Sequence, residues 1–293
     1  MPAIDRLKKS FDAAHHGYRS NYSSEWTRPN NEPRTKIRHW KRIRDAALAH
    51  GNEVGWNAVA NCQVGAYCHS SYCRDCRSRG VASHTRRMLA LHRELHGDDD
   101  QLARRNLRFT TVLCDLVPLN EDMIQESITR ANKTLKSIRR SFPGLGTHGR
   151  FELEAIDVVA IRSGVCPRKK QVMDYLNQND VASLIDDRVL VHFHIILFLN
   201  GHDVKQVQDK FVSRWPGIHR VKIDTFHSNK SVEDSICKLC SYMLKNRLTY
   251  NHSIKTDGFN NNRYIRDETL SFLLSMSNRC DDNFLLIYSK NAS

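Results

Sequence analysis

The sequence predicts an α+β protein: a split βαβ antiparallel sheet with helices on one face, preceded by a basic helical region. Three observations predict it. Residues 107–226 alternate between strand-like and helix-like patterns in the order β-α-β-β-α-β. The helical segments are amphipathic, while the third strand segment is apolar almost throughout. Ahead of them, four of the nine cysteines fall between residues 62 and 76, in a chain of net charge +13.

Taken in order, residues 1–33 are polar, contain Pro29 and Pro33, and are expected to form a mobile arm. Residues 34–50, with the run RTKIRHWKRIR, read as a basic helix stopped at Gly51. After the cysteines, residues 83–97 read as a second helix, and DDD at 98–100 as a solvated linker. Strand LRFTTVLCD (107–115) is followed by an amphipathic helix at 120–142, begun by Asn120. Strand RFELEAIDVVAI (150–161) precedes a partly helical insertion, and RVLVHFHIILFL (188–199) is the next strand. A helix at 203–215, a strand at 219–226 and a helix at 231–248 complete the series. The expected divisions are the arm, a basic helical region at 34–100, a sheet domain at 101–250 and a C-terminal extension at 251–293. In this order the free face of the sheet is available as a working surface.

Charge and cysteine usage narrow the partners. Residues 1–110 hold 20 Lys/Arg against 11 Asp/Glu, a surplus of nine, and the rest of the chain adds four. This favours a polyanion, nucleic acid first and a membrane surface second. The longest apolar run is too short to span a bilayer, and MPAIDRLKKS lacks the apolar core of a signal peptide, so a cytoplasmic protein without a membrane partner is expected. An odd number of cysteines in such a chain argues against a disulfide framework. Cys73 and Cys76 have the C-x₂-C spacing of half a zinc site, which Cys62 and Cys68 complete, with His69 as a substitute for one of them. Such a knuckle would stand in for the core of a small subdomain. Its neighbours Arg74, Arg77, Arg79, Arg86 and Arg87, with Lys41 and Arg42 on the first helix, suit contact with duplex DNA. Cys237 and Cys240 read as small packing residues, and His84, His92 and His96 as helix-surface residues.

The chemistry-bearing residues lie in the sheet domain. His192 and His194 are two apart in a strand and project from one face, where neighbouring imidazoles can share a divalent metal. Alone, H-x-H is more simply read as two separately bonded histidines. A carboxylate joins them if the strand of Glu152 and Glu154 is a neighbour. Tyr242 and Lys245, three apart on the last helix, face the same way.

Together, FTTVLCD, an acidic strand, HFH and YMLK in this order resemble the HUH endonucleases. Within them the chain is most similar to the rolling-circle plasmid replication initiators, over roughly residues 60–247. The resemblance implies the HUH nuclease fold, ferredoxin- or RRM-like, over residues 101–250. It implies that His192, His194 and a glutamate hold Mg²⁺ or Mn²⁺ on the scissile phosphate of single-stranded DNA. Glu154 fits the family's spacing better than Glu152. Tyr242 would attack phosphorus, leaving a 5′-phosphotyrosyl link and a free 3′-OH, with Lys245 beside the developing charge. Partners would be single-stranded and origin DNA and host replication proteins. The run LVHFH lacks the proline that many initiators carry there, and Lys238 stands where some have a glutamate four residues before the tyrosine. A relaxase or transposase of the same chemistry, a non-catalytic DNA-binding regulator and a zinc hydrolase are the alternative readings.

Overall fold

The computed structural model describes residues 32–62, 68, 70, 72–162, 167–177, 186–226, 229–243, 248–250, 255–256, 259–260, 264–279 and 286–288. The expected arm lies outside them apart from its last two residues. The chain is α+β, built on an antiparallel sheet. Its four long strands are β1 (Leu107–Val117), β2 (Gly146–Ile156), β3 (Arg188–Phe198) and β4 (Val221–Thr225), in the order β4-β1-β3-β2. A short strand, β7 (Leu286–Tyr288), extends the β2 edge; β5 (Lys255–Thr256) and β6 (Phe259–Asn260) form a separate ribbon.

Around the sheet are α1 (Glu32–Ala49), α2 (Glu53–Ala60), α3 (Arg74–His96), α4 (Asp100–Asn106), α5 (Glu121–Ser141), α6 (Val158–Arg162), α7 (Pro167–Asn177), α8 (Val204–Arg214), α9 (Val232–Met243) and α10 (Asp267–Arg279). Side-chain caps start several of them: Asn120 accepts from Met123 N at α5, and Asp203 from Gln206 N at α8.

The apolar strand β3 is explained by its position. It is paired on both edges, with β1 and β2, and covered on both faces. Val191, Phe193, Ile195 and Leu197 meet Ile124, Ile128, Ala131, Leu135 and Ile138 of α5, and Val207 and Phe211 of α8. The expectation of helices on one face only is corrected here. On the other face Ile196 and Phe198 pack with Met88 of α3, Ala103 of α4 and Ile236, Cys240 and Met243 of α9. Further along that face, Leu190 packs with Ile156, Val158 and Ile161 of the β2–α6 corner and Met173 of α7. Between these two apolar clusters the sheet face carries polar residues.

Several elements differ from the sequence reading: the helix expected from residue 83 starts at Arg74, and in the expected linker Asp99 caps α4 and Asp100 opens it. The strand expected to reach residue 161 ends at Ile156, because Asp157 Oδ1 accepts from Ala160 N at 3.0 Å and starts α6. The N-terminal region is not a small subdomain held by cysteines in place of a core. Ile43, Ala46, Ala47, Val59, Tyr72 and Cys73 share one apolar cluster with Leu270, Leu273, Leu274 and Met276 of α10 and with the sheet. Asn52 Nδ2 donates to Ser271 O (3.0 Å) and Ser275 Oγ (2.8 Å) of the same helix. The C-terminal segment is fixed in turn by buried Asp187, which accepts from Tyr250 Oη and from Thr269 Oγ1.

Candidate metal centre and cysteine cluster

The polar stretch of the sheet face is built by register. In β3, His192 and His194 share parity; across from them on β2 stand Glu152 and Arg150, and across on β1 stand Leu113 and Thr111. Gly149 lets β2 and β3 come together beside His194: a Cβ there would stand 2.0 Å from His194 O. On β1 the register shifts between Leu113 and Asp115, a bulge whose carbonyls at Leu113 and Cys114 accept from the Arg220 guanidinium.

Glu152 Oε2 lies 3.2 Å from Nε2 of both His192 and His194. The carboxylate brought to the histidines is therefore that of Glu152, and the preference for Glu154 is corrected: Glu154 pairs with Leu190, one step further along. Both histidines are buried, and the Glu152 carboxylate is the group that His194 Nε2 faces. Burial alone would raise the Glu152 carboxyl, but the two imidazoles outweigh it and hold Glu152 well below the usual carboxylate range. His192 Nδ1 points at Leu190 O at 3.4 Å, and His194 Nδ1 at Thr111 Oγ1 at 2.8 Å, so both Nε2 atoms turn towards Glu152.

This set fits a divalent cation. Ligands about 2.1 Å from an ion and at right angles to one another stand about 3 Å apart, close to what is found. One carboxylate and two imidazoles leave further coordination positions for water or substrate. Tyr242, on α9, sets its ring against His194, with centroids 4.9 Å apart at 70°, and is 37% exposed. Phe109 of β1 stacks on His194 (5.7 Å, 12°) and meets Tyr242 edge-on (6.1 Å). Lys245 lies outside the described residues. Phe109 and Thr111 are not among the site residues that the sequence singles out; their spacing of two on the strand beside HFH is the signal it offers.

The second cluster is Cys62, Cys68, Cys73 and Cys76, whose sulfurs all lie within 4.8 Å of one another. Cys62 and Cys76 are 3.4 Å apart, Cys68 and Cys76 3.6 Å. Zinc with four sulfurs at about 2.3 Å would set them about 3.8 Å apart, so the donors suit such a metal. Burial and its cysteine neighbours push the Cys76 thiol up to about 12. His69 lies outside the described residues. Burial, then the Glu152 charge, raises the phenol of Tyr72.

Of the residues expected to contact DNA, Lys41 on α1 and Arg79, Arg86 and Arg87 on α3 are exposed; Arg77 is half-buried, and Arg74 opens α3. Arg42 is corrected to a structural role, because its guanidinium binds Asp267 and Ile265 O and so ties α1 to the start of α10. α3 packs against α9, which places its arginines on the helix beside the one bearing Tyr242. His92 and His96 are buried, not on the helix surface: their Nδ1 atoms are 3.2 Å apart, and Asn106 Nδ2 reaches His96 Nε2 at 2.7 Å. Cys240 is buried and Cys237 partly so, in keeping with packing roles. No helix among the described residues is long and apolar enough to cross a membrane.

On the same sheet face, buried His148 lies 3.0 Å from His84 Nδ1. Burial, the His84 ring and Arg87 lower its pKa to about 3. A histidine held neutral in the fold is protonated more readily when unfolded, so stability should fall as pH drops from about 6.5 towards 3. The His148 share should be on the order of 3 kcal/mol by pH 4. Urea unfolding of wild type and His148→Gln across this range measures it; an equal slope in both would remove the assignment.

Compared with known proteins, the chain matches no family model, no curated protein and no solved structure.

Proposed function

We propose that the chain is an HUH-type strand transferase that nicks and rejoins single-stranded DNA at a rolling-circle replication origin. The observation that carries this reading is the convergence of Glu152, His192 and His194 with the exposed ring of Tyr242 against His194. The order β4-β1-β3-β2, with β3 between the strands that α5 connects, supports reading the sheet as the split βαβ of that fold.

The chain's residues would act as follows. The Tyr242 oxygen attacks phosphorus; the Tyr–O–P bond forms, the bond to the 3′ oxygen breaks, and that oxygen leaves as a 3′-OH with the proton lost from the phenol. The strand remains joined through a 5′-phosphotyrosyl link, and the reverse step rejoins it without ATP. A Mg²⁺ or Mn²⁺ ion held by Glu152, His192 and His194 would polarise the scissile phosphate. Lys245 would add positive charge beside it. Arg79, Arg86 and Arg87 of α3 would hold DNA phosphates, and the four cysteines a structural zinc. Host replication proteins would use the free 3′-OH.

The test uses single-stranded oligonucleotides from the element that encodes the chain, with Mn²⁺ or EDTA. The expected result is a metal-dependent covalent adduct on denaturing gels that peptide mapping places at Tyr242. An adduct on another tyrosine would reassign the nucleophile. No adduct and no nicking on any strand, with DNA binding intact, would leave a DNA-binding regulator. Relaxases and transposases share the chemistry, and the strand cleaved distinguishes them from an initiator.

A further inference from the structure

The two histidines of the centre are oriented by different kinds of partner. His192 Nδ1 faces a backbone carbonyl, Leu190 O, which can only accept. That carbonyl favours one tautomer, with hydrogen on Nδ1 and the Nε2 lone pair free. His194 Nδ1 faces the Thr111 hydroxyl at 2.8 Å, and a hydroxyl both donates and accepts. Thr111 sits directly across from His194 in the β1–β3 register, so the contact is built into the sheet. Phe109, two residues earlier on the same strand, lies flat against the same imidazole and closes one side of it.

We propose that Thr111 is the positioning residue of the metal centre, holding the His194 ring in place in both of its tautomers. The inference rests on the metal-centre reading above. Without a cation, the His194 Nε2–H can face the Glu152 carboxylate 3.2 Å away while the Thr111 hydroxyl donates to Nδ1. With a cation bound, Nε2 offers its lone pair and Nδ1–H donates to Thr111 Oγ1. The ring need not move between the two states, because the hydroxyl hydrogen turns instead. A purely apolar residue at 111 would leave Nδ1 without this partner, in a site where both histidines are buried.

The variants are Thr111→Val, which keeps the β-branched shape and removes the hydroxyl, and Thr111→Ser, which keeps the hydroxyl. The readout is the dissociation constant for Mn²⁺ alone, from titration followed by the electron paramagnetic resonance of free Mn²⁺, with His194→Ala as reference. Thr111→Val is expected to weaken Mn²⁺ binding about 10- to 100-fold, and Thr111→Ser to restore it to near the wild-type value. Thermal melts of both variants identify a general loss of structure, which Thr111→Ser would not rescue through its hydroxyl alone. Wild-type affinity in Thr111→Val, with binding lost in His194→Ala, would overturn the role of Thr111 and leave the centre standing. Wild-type affinity in both would overturn the centre and the inference with it.

Discussion

Replacing Glu152 by Gln should lower metal-dependent strand cleavage by about 10³-fold or more, whereas Glu154→Gln should leave it nearly unchanged. The asymmetry follows from register. Glu152 stands across from His192, and one of its oxygens lies 3.2 Å from both imidazoles; Glu154 stands across from Leu190. An amide at 152 keeps the shape but loses the negative charge and presents a neutral oxygen, a much weaker ligand for a hard cation. It also takes the carboxylate away from two buried imidazoles, which can weaken the fold as well as the site. The thermal melt therefore accompanies the cleavage assay, and Mn²⁺ titration separates loss of the ion from loss of the fold. Tyr242→Phe supplies the contrast: it should bind Mn²⁺ as wild type does and form no adduct, because the ring survives and the oxygen proposed to attack is gone. Cleavage retained in Glu152→Gln and lost in Glu154→Gln would move the third ligand to Glu154.

The two parts of this prediction were not equally legible. That His192 and His194 share a face follows from the period of a strand, which any two-residue spacing in VLVHFHIILFL carries. Which glutamate they meet does not. Glu152 and Glu154 have the same parity, and the choice depends on how far β2 slides along β3, which is set by contacts remote in sequence such as the close approach at Gly149. The succession of strands and helices along residues 107–226 was legible because the hydrophobic period switches from one element to the next. The second layer of helices was not. α3 reads as a charged helix, yet it buries Met88, His92 and His96 against the sheet and its neighbours. The histidines satisfy that burial through each other and Asn106, a solution no local pattern announces. Arg42 is similar: its place in a basic run suggests phosphate contact, and only the docking of α10 on α1 explains its pairing with Asp267. The end of β2 was missed because VVAI continues an apolar run, although Asp157 just before it carries the capping signal.

The other large effect should come from the cysteines. Purified without chelator, the chain is expected to carry one zinc ion, and Cys76→Ser to lose it and to destabilise the N-terminal helices by several kcal/mol. Cys76 is the choice because its sulfur is close to two others, Cys62 at 3.4 Å and Cys68 at 3.6 Å. Four thiols packed together do not ionise readily. Burial and the neighbouring sulfurs hold the Cys76 proton up to about 12, and a second thiolate beside a first would be repelled. A divalent cation reverses that balance and exchanges the thiol protons for four bonds. The consequence should extend beyond the loop. Buried Cys73 and Tyr72 share their apolar cluster with Ile43, Val59 and the α10 residues Leu270 and Leu273, so losing the metal loosens the join between the two ends of the described chain. Hydrogen exchange should then rise across α1, α2 and α10 while the amides of β1 and β3 stay protected. A chain that holds no zinc and whose exchange is unchanged in Cys76→Ser would reduce the cluster to four packed thiols.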